Sequence, residues 1–177
     1  RMMSRGLGDV YKRQYKRLYK YIYESLSKFT PIVEPYKLGQ FFLDMRGMNS
    51  IYGNNQDAGS SIIKAIRKET NIFSVIGISR NKLVSKIITA INPEPIYKIE
   101  AGEEAQFLAP LNPSFLPSAH IKYVNSIIHF LMIKKIKDIQ NIANNYKHFQ
   151  ALFGIHATNL ENESRGAYSS SVKPSTI

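Results

Sequence analysis

The chain has 177 residues, no cysteine, and a formal net charge of +11 from 24 Lys and Arg against 13 Asp and Glu. That length holds one domain or two small ones, and a composition of 44% hydrophobic and 21% charged residues excludes collagen-like and wholly disordered chains. Without cysteine there is no disulfide, thiol nucleophile or cysteine-ligated metal centre. No apolar run nears the roughly 20 residues of a membrane span, so no membrane is expected as a partner and a reducing cytoplasm fits. The excess of positive charge points to a polyanionic partner, nucleic acid being the commonest for a basic domain.

The segment Gly8-Asp9-Val10-Tyr11-Lys12-Arg13-Gln14 reads like the in-frame translation of a transposon end used in sequencing libraries. Residues 1–14 are therefore read as an adapter artefact, against the alternative of a genuine basic arm. Without Arg1, Arg5, Lys12, Arg13 and Asp9 the chain keeps 20 basic and 12 acidic residues, so the basic reading survives.

From Tyr15, the positions Leu18, Ile22, Leu26 and Phe29 recur at helical spacing up to Thr30-Pro31. Ile32-Val33 and Leu38 to Met45 read as two strands of a hairpin with Gly39 near the bend. Asp57 is the expected cap of a second helix through Ala58, Ile62, Ile66 and Thr70, with Lys64, Arg67 and Lys68 outward. Phe73 to Ile78 reads as a buried strand, Asn81 to Ala90 as a helix, Ile96 to Ile99 as a strand and Glu103 to Leu108 as a short helix. This order predicts an α+β fold, a mixed or antiparallel sheet with helices on one face. Composition changes around Pro110-Leu111-Asn112-Pro113, and from Ile121 onward Ile127, Phe130, Leu131, Ile136, Ile139, Ile142, Phe149, Leu152 and Leu160 suggest a small all-helical bundle, with a domain boundary expected near Leu116. The expected division is a sheet domain over 15–116, a helical domain over 117–168 and a polar linker over 169–177.

Phe29-Thr30-Pro31-Ile32-Val33-Glu34-Pro35, running into Leu43-Asp44-Met45-Arg46-Gly47, resembles the palm of the Y-family DNA polymerases, the translesion group. Gly77-Ile78-Ser79-Arg80-Asn81-Lys82-Leu83-Val84-Ser85-Lys86-Ile87 resembles that family's strand-to-helix motif. Phe107-Leu108-Ala109-Pro110-Leu111 resembles its passage from palm to thumb, and Phe153-Gly154 with Arg165-Gly166 the end of its thumb. The matches are collinear and imply a partial palm followed by a thumb, a piece of a longer polymerase without its first palm strand, fingers or little finger.

In the family, Mg²⁺ is held by palm carboxylates that include an adjacent Asp-Glu pair, and two-metal chemistry transfers the nucleotide. The matching run here is Lys37-Leu38-Gly39-Gln40, so the acidic positions are Gly39 and Gln40 and no metal ligand remains there. Along an extended strand Asp44 stands roughly 13 Å from position 40, too far to share the metal. The resemblance implies that Lys82 contacts the nucleotide's phosphates; on the residues alone it is a solvated lysine in a helix's first turn. It further implies a glycine-rich thumb turn at a DNA phosphate, matched here by Ser118-Ala119-His120 without the glycines. Lys122, Lys134, Lys135 and Lys137 are candidates for sequence-independent phosphate contact, or a solvated helix face. The Tyr15, Tyr19 and Tyr23 stripe reads as packing, and the four histidines lack zinc-ligand spacing.

The resemblance implies a homologue in DNA-damage tolerance that binds primer–template DNA with a degenerate catalytic site. It would work, as polymerase-like accessory subunits do, with a partner polymerase and the sliding clamp. The alternatives are part of an active translesion enzyme of the DNA polymerase IV type, using Mg²⁺, or a decayed gene fragment.

Overall fold

A computed structural model describes the backbone of residues 3–175 and the side chains of residues 14–175 apart from Asn49. Arg1, Met2, Thr176 and Ile177, the ends of the adapter-like and linker segments, lie outside the described residues. The architecture is α+β, mostly helical with two small sheets, and divides into two compact units.

The first unit runs to Val75 and takes in the segment from Ser171. Helix α1 (Met3–Leu26) extends to the N-terminal side of the periodic stretch that predicts it. Strands β1 (Val33–Lys37) and β2 (Gln40–Leu43) form an antiparallel hairpin with Val33 opposite Leu43 and Lys37 opposite Gln40. A short helix α2 (Asn49–Tyr52) precedes α3 (Asn55–Thr70). Asp57 is not the cap of α3: Asn54 is, its Oδ1 accepting the Asp57 N–H at 2.8 Å, and Asp57 instead places a negative charge in the first turn. Leu26, Val33, Ala58, Ile62 and Ile66 are buried apolar residues of the unit among those described, and Ser25 Oγ donates to Glu69 Oε2 at 2.6 Å to tie α1 to α3. The tyrosine stripe packs as expected in part, with Tyr19 stacked on Phe41 at 4.9 Å between ring centroids. Tyr23 donates its hydroxyl to the Ser175 carbonyl at 2.7 Å. The Ser175 N–H reaches the Val33 carbonyl and the Lys173 N–H the Glu34 carboxylate, so the C-terminal segment lies along β1.

The expected strand from Phe73 forms only at β3 (Ile76–Ile78). Its partner β4 (Ile96–Lys98) pairs it over three residues, so residues 73–75 have no strand opposite them; Phe73 is 77% exposed under the Arg67 guanidinium.

The second unit, Ile76–Ser170, is built on a β–α–β turn: β3 and β4 are parallel and joined by α4 (Lys82–Ile91). Helix α4 buries Leu83, Val84, Ile87 and Ile88, and Asn81 caps it by accepting the Val84 N–H at 3.0 Å. Next come α5 (Glu104–Leu108), two 3₁₀ turns (Pro113–Phe115 and Pro117–His120), α6 (Lys122–Phe130), α7 (Ile136–Ala143), α8 (Tyr146–Phe153) and α9 (Ala157–Ser164). The buried face of α4 shares one apolar core with Leu108, Leu116, Ile136, Phe149, Phe153 and Leu160. Leu116, the expected domain boundary, is itself fully buried there.

Gly77 is where strand and helix come closest. A Cβ there would stand 2.4 Å from the Ser85 carbonyl oxygen and 2.9 Å from the Ile88 Cβ. Gly77→Ala is expected to cost about 2 kcal/mol through overpacking, read as a lowered urea midpoint with unchanged slope.

Candidate functional site

The β1–β2 turn holds Gly39 and Gln40, the two residues expected from the sequence at the family's acidic positions. Leu38 and Gly39 are its two central residues, and of these Gly39 alone has positive φ, 75°. Nothing lies within 4 Å of the place a Gly39 Cβ would take, so the backbone conformation, not crowding, favours glycine. Gln40 opens β2 opposite Lys37, and both are exposed.

Mg²⁺ requires several oxygen ligands, and here one position has no side chain and the next a neutral amide. At the far end of β2, Asp44 is engaged elsewhere: it is 9% exposed and grips the Arg46 guanidinium with both carboxylate oxygens, Nε lying 2.9 Å from each. Its Oδ1 also accepts the Arg46 N–H at 3.0 Å, and the Thr30 hydroxyl bonds its carbonyl. Hydrogen bonding by Arg46 holds the Asp44 carboxyl below its ordinary range, against a smaller upward push from burial. Glu34 accepts the Lys173 N–H at 2.6 Å. Among the described residues no group of three or more His, Asp or Glu is placed to hold a metal ion.

Lys82 is the first residue of α4, half-buried, at an N-terminus whose amides favour an anion. Sequence reasoning missed how that end is fixed. Asn81, besides capping the helix, donates Nδ2–H to the Gly166 carbonyl at 2.6 Å, tying the entry of α4 to the exit of α9 across 85 positions. Ser79 Oγ lies 2.8 Å from both the Asn81 carbonyl and Ser85 Oγ.

Lys122 is the first residue of α6, while Lys134 and Lys135 precede α7 and Lys137 is its second residue. All four are exposed and none is in an ion pair with a described residue. The three later lysines are neighbours at the entry to α7; Lys122 is separated from them along the chain by α6, about 13 Å long. The Ser118-Ala119-His120 turn is 3₁₀, and Ser118 is buried against α9, where Glu163 Oε2 accepts its N–H at 2.8 Å and Oε1 its hydroxyl at 2.9 Å. Burial pushes the Glu163 carboxyl upward, opposed by those two bonds. Nothing local in the sequence signals this pairing of residues 45 apart.

Residues 9–90 match the impB/mucB/samB family. A DNA polymerase IV from Dehalococcoides mccartyi is 36% identical over 106 residues, 59% of this chain and 27% of the relative. The chain is thus similar to the impB/mucB/samB family over 82 of its 177 residues, and to DNA polymerase IV sequences. A second relative, the DNA polymerase IV of Desulfatibacillum aliphaticivorans, is 28% identical over 134 residues, 75% of this chain and 34% of the relative. Among solved structures, DinB from Sulfolobus solfataricus superposes with a TM-score of 0.70 and 24% identity over 91% of this chain and 47% of its own. An insertion ternary complex of Dbh DNA polymerase gives 0.72 with the same identity and coverage. At that identity the likeness establishes a shared fold. The chain spans about a quarter to a third of the length of these curated relatives.

The two shifted carboxylates act oppositely on stability. Asp44, its pKa lowered, stabilises the fold at neutral pH, and that contribution disappears as pH falls through its folded pKa. Glu163, its pKa raised, favours the fold most when neutral, so its contribution declines as pH rises above the ordinary carboxylate range. Urea titrations over a pH series should therefore show Asp44→Asn flattening the acid limb and Glu163→Gln losing less stability than the unaltered chain from mild acid to neutral.

Proposed function

We propose that this chain is part of a Y-family translesion polymerase homologue that binds primer–template DNA without adding nucleotides itself. One observation carries the second half of this reading. At the hairpin turn where the family keeps its Asp-Glu pair, this chain has a glycine in a left-handed conformation and a neutral glutamine. Asp44, at the far end of β2, does not take their place, because it is paired with Arg46. The lysine at position 37, paired across the strands with Gln40, further disfavours a divalent cation at that turn.

The first half rests on charge and on the helical part of the chain. Lys122, Lys134, Lys135 and Lys137 would meet DNA phosphates as point charges, and Lys82 at the start of α4 would meet a nucleotide's phosphates. The names of the relatives support DNA as the partner, one solved Y-family structure being a ternary complex of a DNA polymerase. In DNA-damage tolerance such a homologue would act beside a catalytically competent polymerase at the sliding clamp.

Fluorescence anisotropy with a labelled primer–template, titrated from about 50 to about 300 mM salt, is expected to show affinity falling steeply. Replacing Lys134, Lys135 and Lys137 together by Ala should weaken binding and reduce the log–log salt slope by almost three, and Lys122→Ala by about one. Incubation with Mg²⁺ and nucleotides should leave the primer unextended. Extension would replace this reading with that of an active DNA polymerase IV; salt-independent or undetectable binding would remove the DNA-binding half.

A further inference from the structure

Helix α6 ends in an elbow that exposes two large apolar side chains. Phe130, its last residue, is 84% exposed, and Met132, just beyond it, is 81% exposed. Scattered exposed apolar residues need no explanation, but Met132 also holds a backbone conformation that its side chain disfavours. Its φ is 52°, and the turn around it is a Schellman motif: the Ile133 N–H reaches the Ile128 carbonyl at 3.0 Å and the Met132 N–H the His129 carbonyl at 3.0 Å. Glycine is the usual residue at that left-handed position, because a Cβ is crowded there. Asn71, the other described non-glycine residue with positive φ, is of a type that takes the conformation readily. Methionine lacks that ease, and so exposed it recovers little by packing within the chain. An exposed apolar side chain kept at a conformational cost points to a use outside the fold.

The surroundings narrow the kind of partner. His129, Lys134, Lys135 and Lys137 are exposed on either side of Met132 along the chain, and none of these lysines is in an ion pair with a described residue. Asp138, the acidic residue next in sequence, is engaged by the Lys135 N–H at 3.1 Å. A second copy of this chain would bring a net charge of +11 against its like. Phosphates can be met by the lysines but offer nothing to Phe130 and Met132. Carboxylates interspersed with apolar side chains satisfy both.

Independently of the DNA-binding reading above, we infer that the elbow between α6 and α7 is a docking surface for a protein partner that presents an acidic segment carrying apolar side chains. Phe130 and Met132 bury against those side chains, while Lys134 and Lys135 pair with the carboxylates. Apolar burial holds the partner, and the charges select which segments approach.

The test uses the full chain and a fluorescein-labelled peptide of leucines spaced among glutamates, beside its counterpart with every leucine replaced by serine, read by anisotropy. The unaltered chain should bind the leucine peptide about tenfold more tightly than the serine peptide, and Phe130→Ser and Met132→Ser should each remove most of that preference. Replacing Lys134 and Lys135 together by Ala should weaken both peptides alike, and by less as salt rises. Met132→Gly separates docking from a structural role: it should raise the urea midpoint as the backbone is relieved, yet lose the leucine preference. Equal affinity of the unaltered chain for the two peptides would overturn the inference. So would a leucine preference retained by the variant carrying both serines, or a urea midpoint unchanged or lowered in Met132→Gly. Two further results would overturn it by giving the elbow another occupant. One is a loss of primer–template affinity in the double-serine variant as large as its loss of peptide affinity, which makes the elbow a nucleic-acid contact. The other is a dimer in sedimentation that the same variant abolishes. Primer–template binding by the unaltered chain tests the proposed function separately, so either reading can fail alone.

Discussion

Helix α4 lies close against β3 because Gly77 has no side chain, and the order of the second unit depends on that approach. With the Ser85 carbonyl and Ile88 filling the space a Cβ would need, the helix can turn Leu83, Val84, Ile87 and Ile88 into one apolar core with α5 to α9. The same approach sets where α4 begins. Asn81 can then satisfy the first turn with its oxygen while its nitrogen holds Gly166 at the end of α9. Gly166, at φ 73° and packed on Glu104, admits no larger residue, so both ends of the second unit converge on the helix terminus that carries Lys82.

Local chemistry made most elements legible. The spacing of Leu18, Ile22 and Leu26, the Gly39 bend, the Asn81 entry to α4 and the short helices after Leu116 all follow from periodicity and turn residues. The misreadings have physical causes. Asn54 and Asp57 are both competent caps, and only the backbone geometry at Asn54, φ −91° and ψ 162°, decides between them. Phe73 to Val75 have strand-forming residues, but a strand needs an opposite partner and β4 supplies only three positions. The candidate site divides in the same way. That Gly39 and Gln40 cannot act as carboxylates is plain from their identity, whereas Asp44 with Arg46 and Ser118 with Glu163 are pairings of side chains that no sequence period announces.

The charged groups of the two units contrast in how firmly they are committed. At the hairpin and its surroundings the acidic side chains are engaged: Asp44 by Arg46, Glu34 by the Lys173 amide, Glu69 by Ser25 and Lys28. At the starts of α6 and α7 the lysines project into solvent without an acidic partner among the described residues. Free cations set on short, well-packed helices suit diffuse attraction to a polyanion, in which each contact is modest and their number matters.

The segment Ser171–Ser175 beside β1 bears on how the chain behaves among its own copies. A two-stranded hairpin has two bare flanks, and the flank of β1 away from β2 would offer its carbonyls and amides to any extended peptide. Here the Ser175 N–H takes the Val33 carbonyl and the Glu34 side chain is drawn to the Lys173 amide. Pro35 in mid-strand and Pro174 in the covering segment each lack a donor, which shortens the ladder a foreign strand could build. Residues Lys173 to Ser175 thereby cover part of the β1 flank against edge-to-edge pairing, leaving the β2 flank to its own side chains.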